Sequence, residues 1–193
     1  MQGIEGTYFH VRVLIGMVVG LAIGNLLRGV ARVISDEKHR PIYWVQMAWA
    51  VSMILAILQF WWFEIRFDLL PRFTFPIFAF WVVYVLQLFF LTALLLPENV
   101  GAFENNRGYF LARRQWFFGF MALFYVFDFT ESLLKGAEYL RILGPMYPVR
   151  NALYVVGCLL AIWTRSPVCH AAFAVVALAF QLLWLVRMNT FVV

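Results

Sequence analysis

The sequence predicts an all-α fold: a polytopic transmembrane helical bundle of six helices in a single transmembrane domain over residues 1–193. Three observations carry this. Hydrophobic residues make up 64% of the chain and charged residues 13%, about half of the quarter that a soluble domain uses to cover its surface. All seven prolines (Pro41, Pro71, Pro76, Pro97, Pro145, Pro148, Pro167) fall at or near the edges of apolar runs, as expected of a residue that breaks a helix interior but is accepted in its first turn. The segments between them are roughly 18–26 residues, enough to cross ~30 Å of hydrocarbon at ~1.5 Å per residue.

The spans are read at about 8–34, 42–66, 74–96, 109–135, 149–165 and 168–190. The first has no small-residue cleavage site after a short apolar core, so it is expected to be retained and not removed as a signal peptide. Tyr43 and Trp44 open the second span, Trp61 and Trp62 close it, and Trp116 lies near the start of the fourth, at depths where aromatic belts form. Any one of these rings could equally be core packing. A β-barrel needs alternating segments of ~10 residues, whereas Phe78–Leu96 is apolar on every side.

The net charge of +5 does not point to nucleic acid, because the basic residues stand singly or in pairs between apolar segments. On the side that holds both termini (side A) lie Arg12, Arg66, Arg72, Lys135, Arg141, Arg150 and Arg187. On the opposite side (side B) lie Arg28, Arg32, Lys38, Arg40, Arg107, Arg113, Arg114 and Arg165. This near-balance gives the chain no orientation as a whole. The first span, with most of its basic residues after it, favours both termini outside. The expected location is an integral, multi-pass position in a membrane, the cell membrane if the source is bacterial.

The near-balance has a second explanation in a 3+3 inverted repeat. Asn25-Leu-Leu-Arg-Gly29 ends the first span and Ser132-Leu-Leu-Lys-Gly136 the fourth, while Gln87 and Gln181 occupy the middle of the third and sixth. An odd number of spans per repeat inverts the halves.

Two features stand out from the apolar background. Gly16, Gly20 and Gly24 lie on one face of the first span, a stripe that lets another backbone approach where lipid offers no hydrophobic drive for association. Its partner is another helix of this chain or the same helix of a second copy, which would make a homo-oligomer. In the fourth span, Asp128 and Glu131 share a face with Lys135 one turn on. Asp128 falls ~4.5–9 Å from the span's centre at ~1.5 Å per residue, inside the hydrocarbon. A carboxylate there costs a few kcal/mol, so it faces protein or water and usually pairs. Its candidate partners on side A are Arg12, Arg150 and Arg187, with Lys135 suited to Glu131. Glu64 belongs to the same level. The set reads either as a structural ion-pair network or as an ion or proton pathway through Asp128, Glu131 and Glu64. At the other end Asn25, Arg28 and Arg32 share a face and Arg113 and Arg114 open the fourth span. Their long side chains are expected to reach to headgroups, the alternative being an anion-friendly vestibule.

No catalytic motif is present, neither HExxH nor GxSxG nor a phosphate-binding glycine loop, so an enzyme is not expected. No metal or cofactor is expected either: Cys158 and Cys169 have no CxxC spacing, and His10, His39 and His170 are spread along the chain. The function that fits best is a small membrane channel or transporter, for a cation or a proton. The competing reading is a non-transporting membrane subunit, sensor or effector that binds a protein partner.

Overall fold

A computed structural model describes the backbone of residues 2–64, 74–98 and 103–188, and the side chains of 10–62, 74–98 and 103–187. Among the described residues there are seven helices and no strand: α1 (Gln2–Ser35), α2 (Trp44–Glu64), α3 (Phe75–Leu95), α4 (Asn106–Leu134), α5 (Ala137–Leu143), α6 (Met146–Trp163) and α7 (Pro167–Met188). All except α5 are long and apolar enough to cross a membrane. The protein is a multi-pass integral membrane protein, with α1, α2, α3, α4, α6 and α7 as its spans.

Local chemistry sets the boundaries. Pro76 stands in the first turn of α3, Pro148 in the first turn of α6 and Pro167 at the start of α7, where a missing N–H costs no hydrogen bond. Helix α4 starts at Asn106 because the Asn105 side chain caps it, accepting from the Gly108 N–H at 2.7 Å. Helix α1 begins before the expected residue 8, since no proline interrupts its first turns. The second span's last residues, with Arg66, and also Arg72 lie outside the described residues.

Helix α5 was not anticipated. It is flanked by Gly136 (φ 103°) and Gly144 (φ 76°), both in the left-handed region that other residues rarely enter. Its seven residues bury Tyr139 and Leu143 under the bundle, while Glu138 and Arg141 pair at 3.0 Å on the exposed face.

The most extensive helix contacts are α4 with α6 and α1 with α3, followed by α3 with α4 and α2 with α7. This pattern does not follow a pseudo-two-fold axis relating the halves. In the first half the first and third spans pack most closely, in the second half the first and second. Outward faces carry large apolar side chains such as Leu160, Leu183 and Val176, which suits contact with lipid.

Aromatic rings fill the middle of the bundle. Trp49 of α2 is fully buried, with its ring 5.2–5.7 Å from those of Phe117 and Phe118 of α4 and Phe173 of α7. Close approach between helices depends on Gly29 and Gly157. A Cβ on Gly29 would come 2.5 Å from the Leu96 Cβ, and one on Gly157 2.6 Å from the Phe173 ring.

Candidate functional site

Two helix faces with the same spacing make the site. On α4, Asp128, Glu131, Ser132 and Lys135 follow one another at intervals of three, one and three residues. On α6, Tyr147, Arg150, Asn151 and Tyr154 repeat those intervals. Each set forms a single stripe on its helix, and the close packing of α4 against α6 brings Asp128 and Ser132 against Tyr147, Arg150 and Asn151.

Asp128 is held by donors from two helices. Its Oδ2 accepts from the Tyr147 hydroxyl at 2.7 Å, the Asn151 amide at 2.8 Å and the Arg150 guanidinium at 2.9 Å. The Tyr84 hydroxyl of α3 reaches Oδ1 at 3.2 Å. Arg150 also donates to the Asn151 side-chain oxygen, and its guanidinium lies about 5 Å from the ring centres of Tyr147 and Trp184. The second carboxylate, Glu131, pairs with Lys135, and both side chains are almost fully buried. The Lys135 ammonium sits 4.9 Å from the Tyr139 ring centre and 5.6 Å from that of Trp81. A buried carboxylate is tolerated in a membrane span under these conditions: each has a cation beside it, and each cation rests on aromatic faces.

The two carboxylates are joined through hydroxyl groups. Ser132 Oγ lies 3.3 Å from Glu131 Oε2 and 2.7 Å from the Tyr147 hydroxyl, which meets Asp128 Oδ2 at 2.7 Å. A cavity of about 40 Å³ adjoins this chain, lined by Asp128, Glu131, Ser132, Tyr147 and Arg150, with Gln59 of α2 and Gln181 of α7 on its far wall. A water needs ~10–15 Å³ of such space, so it has room for a few. Beyond Gln181, which exchanges hydrogen bonds with Ser52, the Trp49 cluster closes the bundle toward side B.

Of the residues singled out by sequence, Asp128, Glu131, Lys135 and Arg150 are brought together. Arg12 and Arg187 occupy exposed positions on α1 and α7, and the bases paired with the two carboxylates are Arg150 and Lys135. The Glu64 side chain lies outside the described residues. The glycine stripe faces outward: Gly20 and Gly24 have no atom within 4 Å of a Cβ position, while Gly16 faces Trp61. Packing of α1 inside this chain instead uses Val11, Ile15, Val19, Ala22 and Leu26.

The arginines expected at headgroups on side B divide into two groups. Arg28 and Arg113 are exposed. Arg32 donates to the Pro97 carbonyl, and Arg114 is buried, donating to the Thr164 and Leu111 carbonyls at 3.0 and 2.7 Å. They tie helix ends together. Asn25 is likewise internal, donating to Thr92 of α3 at 3.3 Å.

Tyr84, Ser132, Tyr147 and Asn151 were missed. The polar spacing of Tyr147, Arg150, Asn151 and Tyr154 along an apolar helix is the signal that points to two of them, Tyr147 and Asn151. Comparison with protein-family models, with curated protein sequences and with solved structures finds no match to this chain.

Proposed function

We propose that the protein is a small membrane transporter that moves protons, alone or coupled to a solute, with Asp128 and Glu131 as its proton-handling groups. The observation that carries this reading is the hydroxyl chain between them. Four oxygens, of Glu131, Ser132, Tyr147 and Asp128, make three contacts, while the two hydroxyl groups supply only two protons. With both carboxylates ionised, Ser132 donates to Glu131 at 3.3 Å and Tyr147 to Asp128, where its hydroxyl reaches Oδ2 at 2.7 Å and the carbonyl oxygen at 2.8 Å. Those two protons leave none for the 2.7 Å contact between the Ser132 and Tyr147 hydroxyls, which a Ser132 hydroxyl turned away from Glu131 would fill. A proton added to Glu131 donates to Ser132 and completes the chain.

Charge balance favours protons over metal cations. Among the described residues of the cluster, Asp128 and Glu131 are matched by Arg150 and Lys135. Against these described residues a metal cation would meet no net negative charge and would have to displace an internal cation. A proton needs only a carboxylate oxygen. The aromatic closure around Trp49 implies that transfer to side B requires the helices to shift, the behaviour of a carrier more than of an open pore.

The test is proton flux in proteoliposomes loaded with a pH-sensitive dye and driven by a potassium diffusion potential. Wild-type protein is expected to acidify the lumen, and Glu131→Gln and Asp128→Asn to abolish the signal while inserting normally. Wild-type flux no faster than in protein-free liposomes, or full flux in Glu131→Gln, refutes the assignment.

A second reading rests on the outward positions Gly20 and Gly24, which leave α1 a surface where another helix could come close. It makes the protein a non-transporting subunit bound to a partner or to a second copy. A stoichiometric partner lost on Gly20→Leu, with no flux from the purified chain, would favour it.

A further inference from the structure

A second cavity lies at the opposite end of the bundle and takes no part in the proton chain. It occupies about 190 Å³ on side B, where α1 ends, α2 and α4 begin and α3 terminates. That places it at headgroup depth. Its floor is built from buried amides. Gln46, 2% exposed, donates to the Leu95 carbonyl at 2.6 Å, and Asn106, 4% exposed, donates to the Pro41 carbonyl at 3.1 Å. The Gln46 side-chain oxygen has no donor, although a buried amide oxygen ordinarily finds one.

The walls are charged and balanced. Arg32 and Arg40 supply two guanidinium groups, and Asp36 and Glu98 two carboxylates. Asp36 Oδ1 meets His39 Nδ1 at 3.1 Å. Arg40 approaches Asp36 Oδ2 only to 3.8 Å, with the Arg40 and Asp36 side chains 30% and 43% exposed, so the guanidinium and Oδ2 keep open hydrogen-bonding capacity. Val33, half-buried, and Leu96, fully buried, add apolar lining.

We propose that this cavity binds the headgroup of a phospholipid that carries a primary ammonium. The phosphate sits on Arg32 and Arg40, and the ammonium against Asp36, Glu98 and the Gln46 oxygen. Three features select this chemistry. Guanidinium groups match phosphate oxygens in geometry and charge. The paired carboxylates make a zwitterion a better fit than a simple anion, because an anionic headgroup would leave them facing its negative charge. No aromatic side chain is among the described residues that line the cavity, whereas a trimethylammonium is recognised by an aromatic cage. A primary ammonium has N–H groups to donate to the carboxylates and to the Gln46 oxygen. The cavity's position at headgroup depth, with half-buried Val33 in its lining, argues for a lipid over a water-soluble phosphoamine.

The test is native mass spectrometry of the full chain released from detergent. Phosphatidylethanolamine, phosphatidylcholine and phosphatidylglycerol with identical acyl chains are compared on wild type, Arg40→Gln and Glu98→Gln. Arg32 is left in place because it also secures the Pro97 carbonyl. The ethanolamine lipid is expected to bind wild type about tenfold more tightly than the other two, the scale of one charge-assisted hydrogen bond. Arg40→Gln should weaken the ethanolamine and glycerol lipids alike. Glu98→Gln should close the gap between those two. Equal affinity for all three lipids in wild type, or an ethanolamine preference unchanged in both variants, overturns the proposal. So does free phosphoethanolamine binding as tightly as the lipid, since the site would then recognise a soluble phosphoamine.

Discussion

The Asp128–Arg150 pair should be a coupled unit whose halves are unequal in cost. Removing Asp128 by substitution to Leu leaves Arg150, whose side chain is 10% exposed, with the Asn151 oxygen and two aromatic faces as its remaining partners. A guanidinium cannot shed its proton to escape this environment. Stranding a buried charge typically costs ~3–5 kcal/mol, and Asp128→Leu is expected at that level. Arg150→Met is expected to cost less, ~2–3 kcal/mol, the range for losing a hydrogen bond to a charged group. Asp128 would keep donors from Tyr84, Tyr147 and Asn151, lies beside a cavity with room for water, and can take up a proton. The double variant, with two apolar side chains of similar volume, should be less destabilised than Asp128→Leu alone, because no unpaired charge remains. Unfolding free energies in mixed micelles, arranged as a double-mutant cycle, measure the coupling. Additive effects, with the double variant equal to the sum of the singles, would refute the view that these groups form one buried pair.

Other outcomes follow from packing and from the hydroxyl chain. Gly29→Ala and Gly157→Ala each place a Cβ within 2.6 Å of a neighbour, so each should lose ~1–3 kcal/mol in the same unfolding assay. Gly20→Ala meets no atom within 4 Å and should be neutral, or stabilising by up to ~1 kcal/mol from helix propensity. Trp49→Ala removes the centre of the aromatic cluster and is expected to cost ~3–5 kcal/mol; thermal unfolding followed by tryptophan fluorescence would show it. Tyr147→Phe keeps the ring against Arg150 but deletes the hydroxyl between Ser132 and Asp128. Proton flux in liposomes should fall at least tenfold, while protein yield and monodispersity remain those of wild type.

The spans were legible because lipid imposes a simple rule: a segment of sufficient length, apolar on all sides and bounded by proline, crosses the membrane. What that rule does not contain is which face of each helix points inward. Gly16, Gly20 and Gly24 satisfied a spacing pattern for close packing, yet Ala22 and Leu26 face the interior and Gly20 faces out. In an all-apolar helix, inside and outside are both hydrophobic, so periodicity loses its meaning. The same blindness hid Gly29 and Gly157, whose role depends on Leu96 and Phe173 being opposite them. Helix α5 escaped for a different reason: seven residues between two glycines are too short to register as a period.

Polar residues are the exception, since an apolar surround makes each of them informative. Asp128, Glu131, Lys135 and Arg150 were identified from cost alone: a charge in hydrocarbon must find a partner. Arg150 could not be distinguished from Arg12 or Arg187 as that partner without the α4–α6 contact. The repeated spacing on the two helices supplies the missing step. Asp128 and Ser132 of α4 meet Tyr147, Arg150 and Asn151 of α6, while Glu131 and Lys135 on the same stripe pair beside Trp81 and Tyr139. Such a match does more than satisfy charges. A structural ion pair needs one acid and one base, and Asp128 with Arg150 already provides that. The second pair, the hydroxyls of Ser132 and Tyr147 between the acids, and a cavity beside them add nothing that a packed helix interface requires. Replacing these groups with apolar side chains would satisfy the interface at lower desolvation cost, which is the ground for proposing proton movement and the point on which the flux of the Glu131→Gln variant bears directly.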